Sequence, residues 1–366
     1  MRRLLVNGRF VTRPISGVGR SAAEIVRALA AMNRNGELCI DCAVPRGAPA
    51  DDEIRALLGL SPNSRIYSSS HGGYLWEQAI LPWIGPDATL LNFCNMGPVL
   101  RRDQLVLVHD TQVRDAPESY TLSFRAAYRI LQPALTRRAR VVATVSDHSR
   151  GRMRANRLGI GRDIHVVHNG GDHIGAVQTD TAALARFGLQ PGGYLLALAH
   201  PAKHKNIAMI VNACARRRDK SLPLVLAGAV DAAVFRGQAQ GSAEQLRIVG
   251  RTSDGELKAL YENARLLLFP SLTEGFGFPV LEAMACGCPV IASTGGAIPE
   301  VGGEAVVSCD PHDEVAWTRA IEALQHDIPR LAELAAAGHV QASKFTWRRA
   351  AADILSILYD QLEVAA

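Results

Sequence analysis

The sequence predicts an α/β protein built from two parallel-sheet domains, and three observations carry this prediction. The chain has 366 residues, which is long enough for two domains. Short apolar runs typical of buried strands alternate with helical patterns along its whole length. The halves also differ in charge: residues 1–175 hold 23 arginines, no lysine and 15 acidic residues, whereas residues 176–366 carry a net charge of −3.

Composition favours a globular chain over a disordered one, since 48% of residues are hydrophobic and 20% are charged. No window approaches the roughly 20 apolar residues of a membrane span, and the apolar core near the N-terminus is too short for a signal peptide. We therefore expect a cytoplasmic protein. Its seven cysteines are predicted to be reduced thiols; Cys39 and Cys42 form a C-x-x-C on a strand-like run, Leu38 to Val44, without a second pair at zinc spacing.

The first elements are a strand over 4–7, a loop over 8–19 and a helix whose apolar positions are Ala22, Ile25, Val26, Leu29 and Ala30. This order has the outline of a dinucleotide-binding start. However, the loop is too long and its glycine spacing is wrong for the G-x-G-x-x-G fingerprint. The sequence therefore disfavours a dehydrogenase.

Further strands are predicted over 89–93, 105–108, 141–145 and 165–168. His109 directly follows the second of these runs, and ligands of open α/β sheets bind beyond the carboxyl ends of the strands. His109 is therefore a candidate ligand residue, although a histidine there can equally pack within its own domain. Ser146 follows the third run and begins a helix with good capping residues.

A boundary is predicted near residue 175, after which a second α/β series begins. Its predicted strands cover 194–199, 222–227, 246–249, 266–269 and 289–292. The loop from Ala202 to Asn206 places Lys203 and Lys205 beyond a strand end and before a helix. Lysine ammonium groups and a helix N-terminus both suit a phosphate, while a solvated loop is the simpler alternative.

The most specific stretch is SLTEGFGFPVLEAMACGCPVIASTGGAIP, from Ser271 to Pro299. It predicts a glycine-rich turn, a helix beginning near Pro279 and a further strand. Glycine amides and a helix N-terminus suit an anion, whereas the carboxylates of Glu274 and Glu282 suit hydroxyl groups. A ligand with both phosphate and sugar hydroxyls satisfies both features.

At these residues the sequence resembles the retaining glycosyltransferases of family four, and in particular bacterial polysaccharide mannosyltransferases. Their E-x7-E pattern within EGFGFPxxEAMAxGxPVIAS is matched almost without departure. The resemblance implies the GT-B fold, with two Rossmann-like domains facing a central cleft. Residues 1–175 would bind the acceptor, residues 176–345 would bind the nucleotide sugar, and a C-terminal helix within 346–366 would cross back to the first domain.

The resemblance also implies the site residues. Glu274 and the amides of the glycine turn would hold the donor sugar, Glu282 the ribose, and Lys205 the diphosphate, with His109 close to the sugar. The family's first basic residue is not clearly present, and Lys203 or His200 stands in its place. The remaining donor-binding candidates are Gly17, Gly19, Asn206, Arg251, Gly275, Phe276, Gly277, Phe278 and Val280.

The reaction implied is transfer with retention, in which the β-phosphate takes the acceptor proton. The chain shows no D-x-D metal motif between strands and no second carboxylate placed as a nucleophile, so we expect neither a metal nor another cofactor. GDP-mannose is the first expected donor and a UDP-sugar the second. The expected acceptor is a lipid-diphosphate-linked saccharide of cell-surface polysaccharide biosynthesis.

Two other functions share this architecture: a non-hydrolysing nucleotide-sugar epimerase and a non-catalytic sugar-nucleotide-binding subunit. An epimerase would alter the sugar without an acceptor. The basic first half, net +8, suggests an anionic partner, and a peripheral place on the inner membrane face is one expectation. No nucleic-acid-binding module accompanies it, and an ordinary solvated basic face remains the alternative.

Overall fold

The computed structural model describes residues 2–14, 16–33, 37–229 and 245–363, and contacts among them divide the chain into two compact units. One unit comprises the described residues up to Gly170 together with those from Thr346 onward. The other unit spans Gly171–Phe345, so the division falls after Gly170. The sequence predicts the boundary near residue 175. The last three residues of the predicted 346–366 segment lie outside the described residues.

The first unit contains a parallel sheet with seven strands among the described residues. They are β1 (Arg2–Asn7), β2 (Leu38–Val44), β3 (Ile66–Ser68), β4 (Thr89–Asn92), β5 (Gln104–Val108), β6 (Val141–Thr144) and β7 (Ile164–Val166). Their order across the sheet is β3-β2-β1-β4-β5-β6-β7. Both faces of β4 and β5 are buried, as expected for central parallel strands. The order of connection reverses between β1 and β4.

The second unit contains a parallel sheet with six strands among the residues described. They are β8 (Leu195–Ala199), β9 (Leu224–Gly228), β10 (Leu246–Gly250), β11 (Leu266–Phe269), β12 (Val290–Ser293) and β13 (Val307–Cys309). The order across this sheet is β10-β9-β8-β11-β12-β13, so the connections reverse between β8 and β11. The predicted parallel α/β architecture is therefore confirmed for each unit.

Helices cover the sheets in both units. Those before the division are α1 (Gly17–Met32), α2 (Asp51–Leu58), α3 (Gly73–Leu75), α4 (Gln112–Asp115), α5 (Leu122–Arg138) and α6 (Asp147–Ala155). The second unit holds α7 (His173–Ala176), α8 (Ala183–Arg186), α9 (Ile207–Arg216), α10 (Asp254–Asn263), α11 (Phe278–Ala285), α12 (Ile298–Gly302), α13 (Glu314–Leu324) and α14 (Ile328–Ala342). Short 3₁₀-helical turns cover Gly8–Thr12, Leu81–Trp83, Pro117–Ser119, Lys203–Lys205 and Gly303–Ala305, and a π-helical turn covers Trp76–Ile80.

The last helix, α15 (Trp347–Glu363), belongs to the first unit and packs against α1 and β6. Helix α1 buries the apolar stripe that its sequence predicts, with Ala22, Ile25, Val26 and Leu29 all fully buried. This burial fixes the direction of α1 over the sheet and so the position of its first turn, which follows the carboxyl end of β1.

Two further predictions concern the cysteines and the absence of a membrane span. The seven cysteines are all free thiols, and burial raises the pKa of Cys42 to about 12. Among the described helices, every one is too short or too polar to cross a bilayer.

Candidate active site

The second sheet brings Lys205 and Glu274 together at the point where its strand order reverses. Lys205 follows β8, Glu274 follows β11, and these two strands are neighbours although other elements separate them in sequence. A crevice forms at such a reversal because the connections leave the two strands in opposite directions, and ligands of open α/β sheets bind there. The two residues that the sequence places at the centre of the donor site therefore meet.

The contact between them is direct. Lys205 Nζ donates a hydrogen bond to Glu274 Oε1 at 2.6 Å, and the two side chains are 23% and 11% exposed. The ammonium also lies 5.9 Å from the centre of the Phe269 ring. An ammonium has three donors and a carboxylate has two oxygens, so each group keeps bonding capacity for a ligand. Together they present a cationic and an anionic group side by side.

The turn that carries Lys205 is fastened to neighbouring loops. Lys203–Lys205 form one tight helical turn, and Asn206 follows it in the left-handed conformation with φ 57°. The side-chain amide of Asn206 donates to the carbonyls of Pro270 at 3.2 Å and Pro311 at 2.7 Å. The Leu272 amide donates to the carbonyl of the middle residue of the turn at 2.7 Å. Asn206, predicted as a donor-binding residue, thus holds the loops that position Lys205.

Glu274 is positioned by the glycine pair Gly295-Gly296. A β-carbon on Gly296 would lie 2.3 Å from the Glu274 amide nitrogen, and one on Gly295 would lie 2.3 Å from the Leu272 carbonyl oxygen. The amide of Ala297 donates to the Glu274 carbonyl at 3.0 Å. Only glycine allows this stacking of two loops, which explains why the sequence has a glycine pair there.

The glycine turn after Glu274 leads directly into α11. Gly277 has φ 106° and precedes the helix, which begins one residue before the predicted Pro279. Phe276 is 4% exposed and packs edge-on against Phe278 and Phe345. Its ring therefore belongs to the core, and Gly275, Phe276 and Phe278 can meet a donor mainly through their backbone.

Val280 is one of the residues that the sequence predicts to bind the donor. Its side chain is fully buried and its amide donates to the Gly277 carbonyl at 3.1 Å. The side chain is apolar and the amide closes the first helical turn. The position is part of the core that anchors α11.

Glu282 lies within a buried polar group of three residues. His173 Nε2 donates to one carboxylate oxygen at 3.1 Å, and the Tyr261 hydroxyl donates to the other at 3.2 Å. Each oxygen keeps a second lone pair, so the carboxylate can still accept two hydroxyl hydrogens. Burial, with Glu282 beside the hydroxyl, raises the pKa of Tyr261 well above its usual value. Sequence reasoning missed both partners, because residues 109 and 21 positions away share no local pattern with Glu282.

The other basic candidates differ in position. Lys203 is exposed and lies on the same turn as Lys205. His200 follows β8 directly and its Nδ1 accepts from the Ala202 amide at 3.1 Å. Burial and the nearby Lys205 charge lower the pKa of His200, which favours its neutral form. Lys203 is therefore the better cationic substitute for the family's arginine.

Arg251 follows a strand that is not next to the strand reversal of the second sheet. It is exposed and follows β10, the edge strand, which β9 separates from β8. The structure therefore does not bring Arg251 to the strand reversal where Lys205 and Glu274 meet.

In the first unit, His109 follows β5 and is 4% exposed. Its Nε2 bonds to the Phe93 carbonyl at 2.7 Å, and its backbone N–H donates to Asn95 Oδ1 at 2.6 Å. A carbonyl only accepts, so Nε2 carries the hydrogen and Nδ1 is the acceptor. Burial lowers the pKa of His109 to about 4, so the ring is neutral at pH 7. Ser146 is fully buried and caps α6 by accepting from the Ser149 amide at 3.0 Å.

The structure corrects the predicted bounds of the loop that contains Gly17 and Gly19. The sequence places them in a loop that ends at Gly19, whereas α1 begins at Gly17. Ser16 caps the helix, and its Oγ accepts from the Gly19 amide at 3.2 Å. The capping serine thus engages the amide of Gly19, which the resemblance assigns to donor binding.

A cavity of about 340 Å³ opens at the strand reversal of the first sheet, near the ends of β1 and β4. Arg9 donates to buried Glu77 at 2.6 Å and its guanidinium lies 4.8 Å from the centre of the Tyr74 ring. The rings of Phe124 and Tyr128 line the cavity with centres 4.5 Å apart. Burial raises the pKa of Glu77 against the opposing effect of Arg9. Sequence reasoning missed this cavity because its lining comes from four separate segments.

No group of three or more histidine, cysteine, aspartate or glutamate side chains that could hold a metal ion occurs in the described part of the chain. The prediction of a reaction without metal stays a prediction.

Comparisons with known proteins address the class of the protein. Residues 193–327 match the family Glycosyl transferases group 1. The chain is 28% identical to O-antigen chain mannosyltransferase B of Escherichia coli, over 91% of this chain and 93% of the relative. Its fold is similar to sucrose-phosphate synthase from Thermosynechococcus elongatus, at 18% identity and TM-score 0.74 over all of both chains. It is also similar to Anabaena Alr3699/HepE in complex with UDP and glucose, at 16% identity and TM-score 0.75 over 98% of this chain and all of that one.

Two parallel-sheet units and these similarities define the class: the protein is a glycosyltransferase with the GT-B fold. More particularly, residues 193–327 match the Glycosyl transferases group 1 family, and the matched segment contains Lys205, Glu274 and Glu282. The predicted resemblance is therefore confirmed at the level of fold and enzyme class.

Proposed function

We propose that this glycosyltransferase moves a hexose, with retention, from a nucleotide sugar to a lipid-linked saccharide in cell-surface polysaccharide biosynthesis. Mannose from GDP-mannose is the first expected donor and a UDP-sugar the second. The observation that carries the proposal is the 2.6 Å contact between Lys205 and Glu274 at the strand reversal of the second sheet. The similarity to an O-antigen chain mannosyltransferase supports the choice of mannose and of a polysaccharide product.

The diphosphate and the sugar of the donor match the cationic Lys205 and the anionic Glu274, respectively. When the bond from the sugar C1 to the β-phosphate oxygen breaks, negative charge grows on the departing diphosphate. Fixed positive charge and backbone N–H groups at that point lower the barrier. Lys205, Lys203 and the beginning of α11 supply them, while the second oxygen of Glu274 accepts from a sugar hydroxyl.

Retention requires that the acceptor oxygen bonds to C1 on the face that the diphosphate leaves. In the proposed step the acceptor hydroxyl forms that bond, and a β-phosphate oxygen takes its proton. No protein carboxylate then forms a covalent bond to the sugar. His109 is neutral, since its pKa is about 4, so its contribution would be a hydrogen bond accepted by Nδ1 rather than a charge.

The acceptor would bind in the first unit. The cavity at the β1 and β4 ends combines an ion pair, Arg9–Glu77, with the ring faces of Tyr74, Phe124 and Tyr128. Carboxylate and guanidinium groups bond to hydroxyls, and aromatic faces pack on the C–H faces of a sugar ring. These features support a saccharide acceptor, and a volume of about 340 Å³ suits one or two hexose rings.

The test is a panel of GDP-, UDP- and ADP-sugars, first in a thermal shift assay and then in turnover with saccharide acceptors. A donor present at about 100 times its dissociation constant should stabilise the protein by roughly 2.7 kcal/mol. Proton NMR of the product should show the anomeric configuration of the donor. A chain that neither binds nor consumes any sugar nucleotide would reject the proposal, and a product with an altered sugar and no acceptor would identify an epimerase.

Two substitutions connect the result to the site. Lys205→Ala and Glu274→Ala should each remove most of the turnover. Lys220→Ala and Glu304→Ala, at exposed positions of the same unit, should leave turnover unchanged. Equal effects of both pairs would mean that the contact has no special role.

A further inference from the structure

Asn95 contacts both His109 and the cavity at the strand reversal of the first sheet. It lies in the segment between β4 and β5 and lines the cavity. Its backbone is left-handed, with φ 66°, although it is not a glycine. The Asn95 N–H donates to the Leu107 carbonyl at 3.1 Å, and its carbonyl accepts from Gln132 Nε2 at 3.4 Å. These bonds hold an uncommon conformation at the border of a cavity, and such conformations cluster at ligand sites.

The two polar atoms of the Asn95 side chain differ in their partners. Asn95 Oδ1 accepts from the backbone N–H of His109 at 2.6 Å. Because an N–H group only donates, the accepting atom is the oxygen, and the other atom is the Nδ2 amino group with two hydrogens. This amino group has no hydrogen-bond partner in the described part of the chain and is not enclosed by protein atoms. Both of its hydrogens are therefore available to a molecule in the cavity.

Tyr128 adds a second polar group without a partner at the same cavity. The residue is 8% exposed, and its ring packs on Phe124 with centres 4.5 Å apart. Burial raises the pKa of Tyr128, so the hydroxyl keeps its hydrogen. Within the described ranges this hydroxyl has no hydrogen-bond partner, whereas buried tyrosine hydroxyls usually have one. A side chain that is nine-tenths buried, lines a cavity and lacks a partner points to a ligand that carries hydroxyl groups.

We propose that Asn95 and Tyr128 bind hydroxyl groups of the acceptor saccharide, and that Asn95 at the same time positions His109. The inference rests on the proposed function, which places the acceptor in this cavity and His109 close to the donor sugar. Asn95 Nδ2 donates to one acceptor hydroxyl, and the Tyr128 hydroxyl bonds to another. Since Asn95 Oδ1 holds the His109 backbone, a single side chain fixes the acceptor relative to His109.

A saccharide fits the lining better than an apolar molecule does. An apolar occupant would bury the Asn95 amino group and the Tyr128 hydroxyl without partners, which is costly. A saccharide offers hydroxyls to both groups and C–H faces to the rings of Phe124 and Tyr74. The polar and the aromatic parts of the lining are then both used.

The experiment uses the full chain, the donor that the sugar-nucleotide panel identifies, and methyl α-mannoside with its α-linked di- and trimannosides as acceptor probes. Initial rates give kcat and the acceptor KM, and saturation-transfer NMR gives probe binding without turnover. A chain that consumes the donor but neither binds nor glycosylates any probe would overturn the inference and leave the donor part of the proposed function intact. A chain that binds the probes through Asn95 but consumes no donor would reject the proposed function and keep the saccharide site.

Tyr128→Phe removes the hydroxyl and keeps the ring. The acceptor KM should rise about fivefold, the usual effect of losing one hydrogen bond between neutral groups. The donor KM and the Tm should stay at the wild-type values, because the packing on Phe124 is kept. Tyr67→Phe is the matched control, since Tyr67 is a half-buried tyrosine of β3 outside the cavity lining. An unchanged acceptor KM in Tyr128→Phe, or an equal rise in the control, would overturn the role of Tyr128.

Substitutions of Asn95 separate its two roles. Asn95→Gly suits the left-handed backbone and removes both polar atoms, so it should raise the acceptor KM and lower kcat, each about tenfold. Asn95→Asp keeps an oxygen for the His109 N–H and tolerates the same backbone, so kcat should return to within about twofold of wild type. Asn63→Asp, at an exposed position of the same unit, should change neither constant. A wild-type kcat in Asn95→Gly, or the same loss of kcat in both Asn95 variants, would overturn the positioning role.

Deoxy acceptors distinguish a direct contact from a remote effect. Each monodeoxy analogue of methyl α-mannoside is measured with the wild type, Asn95→Gly and Tyr128→Phe. Loss of the contacted hydroxyl should raise the KM of the wild type about fivefold but that of the matching variant less than about twofold, because the protein partner is already absent. Additive losses for every analogue would overturn the proposed contacts.

Discussion

Gly296 lies against the backbone of Glu274, so closely that a β-carbon on Gly296 would fall 2.3 Å from the Glu274 amide nitrogen and 2.4 Å from its carbonyl oxygen. Gly296 also has φ 69°, a conformation that disfavours other residues. The position of the Glu274 carboxylate thus depends on a missing side chain on a neighbouring loop. A substitution that touches no ligand should therefore still affect the site.

Gly296→Ala should lower both stability and turnover. The left-handed backbone and the overlap with Glu274 should together cost about 2–4 kcal/mol of unfolding free energy. The loop must shift to relieve the overlap, which moves Glu274 relative to Lys205. Chemical denaturation and kcat/KM measure the two effects. Gly175→Ala is the control, since no heavy atom lies within 4 Å of a β-carbon there. A variant at Gly296 with wild-type stability would show that the loops are not in contact.

Lys205 and Glu274 should behave as a coupled pair. Lys205→Met and Glu274→Gln each remove one partner, and the double variant removes both. Because the two atoms are 2.6 Å apart and mostly shielded from water, we expect a coupling of about 1 kcal/mol in unfolding free energy. Additive effects of the two substitutions would mean that the ion pair contributes nothing to the folded state.

The same variants should differ in ligand binding. Lys205→Met should weaken the affinity for a free nucleoside diphosphate by about 2 kcal/mol, as expected when a charged partner is lost. Glu274→Gln should weaken turnover of the intact sugar nucleotide more than binding of the free diphosphate, since its proposed partner is a sugar hydroxyl. Turnover assays with the sugar nucleotide and isothermal titration calorimetry with the free diphosphate separate these roles, and identical losses in both measurements would contradict them.

Glu282 offers a test of the proposed ribose contact. Glu282→Gln should weaken binding of a ribonucleoside diphosphate more than binding of its 2′-deoxy analogue, because the amide can accept fewer hydroxyl hydrogens. Tyr261→Phe should cost about 1 kcal/mol of stability, since it removes one hydrogen bond to the carboxylate. Glu304→Gln, at an exposed position, is the control. Equal losses for both nucleotides would make Glu282 a purely structural residue.

The reaction should proceed without added metal. The sequence contains no D-x-D motif, and the proposed charge neutralisation uses Lys205 and Lys203 rather than a cation. Turnover in excess EDTA should therefore equal turnover in magnesium. A loss in EDTA that magnesium or manganese restores would contradict this prediction and would require a metal bound with the diphosphate.

The elements that sequence predicts best are those whose signal is local. The four apolar residues of β11, bounded by Pro270, and the apolar run of β2 are found with the predicted bounds. The sequence does not predict β3 and β13, because each has only three residues at a sheet edge, which is too short for a periodic signal. Helix α14 continues through Gly338 to Ala342, so this glycine does not act as a stop signal.

The residues of the candidate site also differ in whether their signal in the sequence is local. The motif from Glu274 to Glu282 is contiguous, so the sequence identifies it and the structure adds the partner at Lys205. His173 and the Arg9–Glu77 pair become visible only through contacts across many residues. The start of α1 at Gly17 was also missed, because the serine cap precedes two glycines that are themselves typical of a loop.

His109 should make the stability of the protein depend on pH. Burial lowers the pKa of His109 to about 4, whereas an unfolded histidine titrates near 6.5, so the unfolded state binds more protons between these values. Stability attributable to this residue is thus complete above about pH 6.5 and is lost as pH falls toward 4, by up to about 3 kcal/mol. His109→Gln keeps a donor for the Phe93 carbonyl and should flatten this part of the urea-denaturation profile. His312→Gln, at an exposed position, should leave the profile unchanged. If His109→Gln keeps the wild-type slope, the buried ring does not control acid stability.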